Sequence, residues 1–166
     1  MKLIKLTALP LLLFSLVLLI SSCEPDDEIK KTVLYQKTGI PLTGAQEVPV
    51  STSAALGSMD VSYAKTTKIL SYTINWSGLT NAVTGMGIHG LAPTGYASPT
   101  LVQTFSTSAI VKCNTISTTS CGTYKGTLLA DGVVVKEQDI LNGMYYVNIR
   151  TAAFPAGEIR AQIKFQ

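Results

Sequence analysis

Beyond residue 33, apolar and polar side chains alternate with a period of two along most of the chain. The segments 58–63 and 70–76 each carry an apolar residue at every second position, which is typical of half-buried β-strands rather than helices. Aligning the two apolar faces in an antiparallel hairpin gives three residue pairs: Tyr63 with Leu70, Val61 with Tyr72, and Met59 with Ile74. A shift of one residue would turn the apolar face of one strand to solvent, so the pattern predicts this register.

Two C-terminal segments, separated by a turn that contains proline and glycine, repeat the pattern: 145–150 and 158–165. Matching their apolar faces pairs Ile149 with Ile159 and places Arg150 opposite Glu158. We expect the two charged residues to form an exposed cross-strand ion pair that contributes roughly a few tenths of a kcal/mol.

Short strands and turns account for the rest of the domain. The predicted elements are strands at 87–91, 100–105, 122–129 and 133–136, and a single helical turn at 139–143 that ends at Gly143. No segment beyond the N-terminal signal keeps a helical period long enough for a core helix. The sequence therefore predicts an all-β fold, an antiparallel two-sheet sandwich.

The first 22 residues have the features of an export signal. Two lysines precede an apolar stretch, 6–20, which leads into Ser21-Ser22-Cys23. This order is typical of a secretory signal, and the residues before Cys23 resemble the lipobox of bacterial lipoproteins, in which the cysteine is acylated and becomes the first residue. The stretch is shorter than the roughly 20 residues of a spanning helix and contains Pro10. A plain signal peptide with a coincidental cysteine, or an N-terminal membrane anchor, is the alternative.

An acidic segment, 23–32, follows the predicted cleavage site and precedes the domain at 33–166. Acidic runs are usually solvated tethers. This one also resembles the export signal of surface lipoproteins in Bacteroidetes-type bacteria. We expect a lipid-anchored protein of the bacterial cell envelope at the outer membrane, on either its surface or its periplasmic side.

Charge and cysteine content narrow the partners and the compartment. Removing the signal leaves 144 residues, enough for one domain, and lowers the formal net charge from +3 to +1. Lysines and arginines are scattered, so nucleic acid is not an expected partner.

Cys113 and Cys121 are expected to form a disulfide in an oxidising compartment. A metal pair or free thiols are alternatives, but no histidine or acidic residue lies near them in sequence.

Catalytic motifs are missing from the sequence. The chain has one histidine, His89, and no Gly-x-Ser-x-Gly segment for a nucleophile. Six acidic residues beyond the tether are spread singly, and Gly85-Met86-Gly87 has too few glycines for a dinucleotide loop. We expect no enzymatic activity and no cofactor.

Three stretches, taken together and in this order, resemble the chordin-type (CHRD) domain family: 42–50, 87–93 and 143–162. The family often has two prolines in the first stretch, where this chain has Pro49, and it usually has glycine at the position of Ala161. The resemblance covers about 33–166 and implies an immunoglobulin-like β-barrel or sandwich, akin to the superoxide dismutase fold. Chordin is an extracellular antagonist of bone morphogenetic proteins, but partner choice depends on sites rather than folds, so that activity is not transferred.

The resemblance also suggests a metal site as an alternative function. His-x-His on a strand places two imidazoles on one face, and a copper or zinc centre needs three or four ligands. Here Gly87 and Arg150 stand where the family usually has histidines, and the arginine would repel a cation. We therefore expect His89 to be a hydrogen-bonded turn or core residue, and a divergent superoxide-dismutase-like metal protein is only the alternative.

The polar face of the C-terminal hairpin is our candidate binding surface, although such faces are often only solvated. Its members are Tyr146, Asn148, Arg150, Glu158 and Arg160, to which we add His89. Tyr96, in the loop 94–99, is also well placed for contacts. We predict a lipid-anchored envelope protein with a non-catalytic binding or adhesion domain for an extracellular or periplasmic protein or glycan. A purely structural envelope component is a further alternative.

Overall fold

The computed structural model describes residues 34–114 and 118–166. The predicted signal peptide, the predicted acylation site Cys23 and the predicted acidic tether lie outside the described residues. Within the described ranges, no helix has the length and apolar character needed to cross a membrane.

Within the described residues, the domain contains nine antiparallel strands, one short α-helix and two 3-10 turns. The strands are β1 (Leu34–Thr43), β2 (Leu56–Ala64), β3 (Ile69–Ser77), β4 (Val83–Gly90), β5 (Leu101–Thr104), β6 (Val111–Lys112), β7 (Gly122–Leu129), β8 (Tyr145–Thr151) and β9 (Ile159–Gln162), and the helix is α1 (Glu137–Leu141). All nine belong to one sheet, in the order β5-β4-β8-β9-β1-β2-β3-β7-β6. The first and last strands are therefore neighbours in the middle of the sheet.

This single sheet curls into a half-barrel. The two edge strands, β5 and β6, follow one another in the chain and are joined by a 3-10 turn, Thr107–Ala109. Gln103 of β5 accepts a hydrogen bond from the Tyr72 hydroxyl and donates one to the carbonyl of Thr127 on β7, both at 2.9 Å. The prediction of an all-β antiparallel sandwich or barrel is confirmed, with one continuous sheet in place of two.

One apolar cluster fills the inside of the curl. It contains side chains from both halves of the sheet, among them Met59, Tyr63, Ile74, Ile88, Val147, Ile149, Ile159 and Ile163. The predicted register of the 58–76 hairpin is confirmed at all three residue pairs. The pairing of Ile149 with Ile159 is confirmed as well.

Two local predictions need correction. β1 was not predicted as a strand because its alternation is interrupted by a bulge between Lys37 and Ile40, where the Gly39 amide donates to the Asp60 carboxylate at 2.8 Å. The predicted strand 133–136 is a loop, since Oδ1 of Asp131 accepts hydrogen bonds from three successive amides, 133–135. The helical turn is present as α1, which begins at Glu137.

The predicted disulfide is present. Cys113 and Cys121 are bonded, with their Cα atoms 5.5 Å apart, and the Cys113 amide donates to the Cys121 carbonyl at 3.3 Å. The bridge fastens the end of the edge strand β6 to the start of β7.

Candidate functional site

The polar face of β4, β8 and β9 is buried, which corrects the predicted binding surface. His89, Tyr146, Asn148, Glu158 and Arg160 are all buried, and only Arg150 is partly exposed. Two loops, 44–55 and 91–100, cover this outer face of the sheet. The sequence correctly predicts which side chains of the strands lie on the polar face, but this face is covered by the two loops instead of being exposed to solvent.

Glu158 does not pair with Arg150, so the predicted ion pair is wrong. Its carboxylate accepts hydrogen bonds from the Ser53 hydroxyl at 2.7 Å, from the amide and hydroxyl of Thr80 at 2.8 and 3.0 Å, and from the Thr151 hydroxyl. Burial alone would raise the pKa of Glu158, but these donors outweigh it and lower the pKa below its ordinary value. Glu158 therefore ties the loop 44–55 to the sheet.

The ring of Tyr146 lies between His89 on β4 and Arg160 on β9. His89 stacks on it with ring centroids 5.3 Å apart, and Cζ of the Arg160 guanidinium lies 3.5 Å from the Tyr146 centroid. A cation this close to a desolvated aromatic face is a favourable cation–π contact. Arg160 also donates to the Tyr96 carbonyl and to Oε1 of Gln162, both at 2.8 Å.

His89 is held neutral by its neighbour Arg150. Nη2 of Arg150 lies 2.9 Å from Nε2 of His89, and since a guanidinium can only donate, Nε2 must accept and the proton resides on Nδ1. Burial lowers the pKa of His89, and the charge of Arg150 lowers it further. Nδ1 is buried and has no hydrogen-bond partner, and the backbone of Ser98 and Thr100 offsets part of the lowering of the His89 pKa.

This arrangement bears on the alternative of a metal centre. Nε2 of His89, the nitrogen that could bind a metal ion, accepts a hydrogen bond from Arg150 instead. Within the described residues, no group of three or more histidine, cysteine, aspartate or glutamate side chains is placed to hold a metal ion.

Glu47 is the second buried carboxylate of this region. Nδ2 of Asn148 lies 2.9 and 3.0 Å from its two oxygens. Burial raises the pKa of Glu47 to about 7, because the Asn148 hydrogen bond and the charges of Arg160 and Arg150 offset only part of the desolvation. Gly157 packs against this pair so closely that a Cβ there would collide with both side chains.

Several of these buried groups hold the two covering loops on the sheet. Glu47 and Ser53 anchor the first loop, while Arg160 holds the second at the Tyr96 carbonyl. Gln162 donates to the Ala92 carbonyl at 2.9 Å, and the Tyr146 hydroxyl exchanges hydrogen bonds with the backbone of Ser98. The predicted binding residues thus lie beneath the loops and help to hold them on the sheet.

The outer side of the two loops forms a small surface that we call the loop platform, consisting of Val48, Pro49, Val50, Thr94, Gly95 and Tyr96. Both loops line a cavity of about 390 Å³ there. Val50 and Tyr96 are exposed to 68% and 67%. The predicted accessibility of Tyr96 is confirmed, whereas that of Tyr146 is wrong.

A larger groove of about 560 Å³ crosses the outer face of β1, β2, β3 and β7. It is lined mainly by hydroxyl and amide side chains, among them Gln36, Thr38, Ser62, Ser71, Thr73 and Thr127. None of its charged side chains is buried. None of its lining residues is a large exposed apolar side chain, whereas the loop platform has Val50 and Tyr96, so we regard the loop platform as the stronger site for a protein partner.

Sequence reasoning missed Glu47 and Gln162, which complete the buried network. Glu47 lies within the stretch 42–50 that carries the family resemblance, but a glutamate in a predicted loop gives no sign of burial.

The family model of the CHRD domain matches residues 38–163. No curated protein and no solved structure gives a significant match. Since the family match spans most of the chain, including both covering loops and the strands beneath them, the chain belongs to the CHRD domain family.

Proposed function

We propose that this protein is a lipid-anchored binding domain of the bacterial cell envelope that recognises a protein partner through the loop platform. The observation that carries the proposal is the buried network beneath the platform. Five ionisable or aromatic side chains are buried between the two loops and the sheet: Glu47, His89, Tyr146, Glu158 and Arg160. A protein that needed only stability would be served by an apolar layer at this place.

A fixed platform reduces the cost of binding. Ordering a mobile loop on association opposes affinity, so loops already held by hydrogen bonds bind with less loss of entropy. Tyr96 and Val50 offer the aromatic and apolar contact area that protein interfaces favour. The platform has no exposed carboxylate pair or amide row that would favour a glycan.

The hydrogen bonds made by the candidate catalytic side chains support a non-catalytic role. Nε2 of His89 is bound to Arg150, Glu158 is saturated by four donors, and Glu47 is bound by Asn148. A general base needs a free position within reach of its substrate. Each of these groups instead has a structural partner.

The proposed anchor rests on Cys23 and the signal before it. The test is intact mass spectrometry of protein isolated from membranes, which should show cleavage before Cys23 and an acyl mass on that residue. Replacement Cys23→Ser should release the protein from the membrane fraction. A water-soluble wild-type protein that keeps its first 22 residues would refute the anchor.

The binding proposal is tested by photo-crosslinking in intact cells. A photoreactive phenylalanine analogue at position 96 should give a discrete protein adduct. The same probe at position 56 should not, because Leu56 is also exposed, to 60%, but lies on β2, outside the platform. Adducts only with glycan, or none at position 96 when expression and folding are normal, would overturn the proposal.

A further inference from the structure

A second exposed apolar surface lies at one end of the sheet. Successive cross-strand pairs align Leu34 of β1 with Ala64 of β2, Ala64 with Ile69 of β3, and Ile69 with Leu129 of β7. Val133 and Val134, in the loop after β7, are exposed to 79% and 67%. We call these six residues the apolar end.

The valine loop is held in place by hydrogen bonds. Three of its amides bind Oδ1 of Asp131 at 2.8 to 2.9 Å, and the Gly132 amide binds the Val135 carbonyl at 3.0 Å. The Ala130 amide donates to the Lys68 carbonyl at 2.8 Å, which fastens the loop beside the β2–β3 turn. The loop therefore presents its two valines in a defined arrangement.

The position of the apolar end in the chain indicates its partner. Leu34 belongs to this end and lies eleven residues after Cys23. A fully extended chain of that length reaches at most about 40 Å. A lipid on Cys23 would therefore keep this end of the half-barrel close to the bilayer surface.

We infer that the apolar end rests on the lipid bilayer, with its valine loop in the boundary between headgroups and acyl chains. The inference rests on the proposed lipid anchor. Burying exposed valine, leucine and isoleucine side chains at this boundary is favourable, in proportion to the apolar area removed from water. Beside them, Lys65 pairs with Glu137 at 3.5 Å and Asp131 holds the loop amides, while Lys68 and Lys136 are exposed at the same end and can lie among the headgroup phosphates. We expect the apolar side chains, rather than these two charges, to drive the contact.

This orientation also explains the placement of the loop platform. Loop 44–55 leaves β1 at Thr43, the opposite end of that strand from Leu34. A ten-residue strand is about 30 Å long. With the apolar end on the membrane, the first platform loop projects away from it, toward a partner.

The test uses the acylated mature protein in vesicles of phosphatidylethanolamine and phosphatidylglycerol. An environment-sensitive fluorophore is attached through Val134→Cys and, as a control, through Leu56→Cys at the far end of β2. We expect a blue-shifted emission and quenching by lipids spin-labelled near the headgroup for position 134 alone. The shift should persist at high salt and in vesicles without phosphatidylglycerol.

The outcomes distinguish the lipid anchor from the contact between the apolar end and the bilayer. Protein that floats with vesicles but shows equal emission at both positions keeps the anchor and overturns the inference. Protein that does not float refutes the anchor, and the inference with it. A shift that grows with protein density and is accompanied by crosslinks between cysteines at position 134 identifies a second copy as the occupant and overturns bilayer contact.

Discussion

The Arg150 guanidinium donates a 2.9 Å hydrogen bond to Nε2 of His89. This contact makes the arginine a structural partner of the imidazole. The same guanidinium donates through Nε to the Asn148 side chain at 2.9 Å. One partly exposed residue thus supports two buried ones.

Replacing this arginine should destabilise the domain. Arg150→Met leaves Nε2 of His89 and Oδ1 of Asn148 without donors, and we expect the free energy of unfolding in urea to fall by about 1–3 kcal/mol. The pKa of His89, followed by NMR, should rise because a neighbouring positive charge is lost. Lys125→Met on the outer face of β7 is the control, and equal losses in both variants would contradict the assigned role.

Gly157 should not accept a side chain. The Cβ of Gly157→Ala would collide with Glu47 and Asn148 at a backbone φ of +156°, so we expect a loss of about 1–3 kcal/mol, as for other overpacked buried sites. Gly85→Ala, with no atom within 4 Å of its added Cβ, should change the stability by less than about 1 kcal/mol. Thermal or urea unfolding of the two variants gives the comparison, and a stable Gly157→Ala protein would argue against the close packing.

Glu47 should make the stability depend on pH. Its pKa is about 7 in the folded protein, against an ordinary value of 4.5, so the folded state binds the proton more tightly. This contribution is fully present below pH 4.5 and is lost as the pH rises to about 7, with a span of roughly 3 kcal/mol.

The variant Glu47→Gln isolates this effect. His89 and Glu158, whose pKa values are lowered in the folded protein, act in the opposite direction, but they are common to both proteins. Relative to Glu47→Gln, wild type should lose stability between pH 5 and pH 8 in urea titrations. Parallel pH profiles would show that Glu47 ionises normally.

The disulfide should contribute moderately to stability. Closing a loop as short as that between Cys113 and Cys121 is expected to raise the free energy of unfolding by about 2–3 kcal/mol. The double variant Cys113→Ser/Cys121→Ser should lose this amount, and wild type in reducing agent should match it. A variant as stable as oxidised wild type would show that the bridge adds nothing.

The local pattern was enough to predict which residues pair, because register depends only on which side chains are apolar. The pairs formed by Tyr63 with Leu70 and by Ile149 with Ile159 follow from alternation alone. Alternation also identified Asn148 and Arg160 as polar side chains on the face away from the core. It could not show that this face is covered, since the covering loops come from distant parts of the chain.

The buried network illustrates the same limit. Glu47 meets Asn148 only because loop 44–55 folds back over β8, and no local rule anticipates that contact. The valines of the segment 133–136 predict a strand, but the carboxylate of Asp131 provides the amides of 133–135 with a closer acceptor. Local hydrogen bonds from a side chain to the backbone compete with strand pairing, and the dipeptide Asp131-Gly132 is the turn signal that the strand prediction overlooked.

Pairing of β1 with β9 places the beginning and the end of the domain side by side. The sheet cannot be completed until β9, at the end of the domain, has been synthesised. A product shortened before residue 159 would lack the strand that joins the two halves of the half-barrel, and its apolar interior would be open to proteases. Closure of the half-barrel therefore depends on a contact between the two ends of the domain.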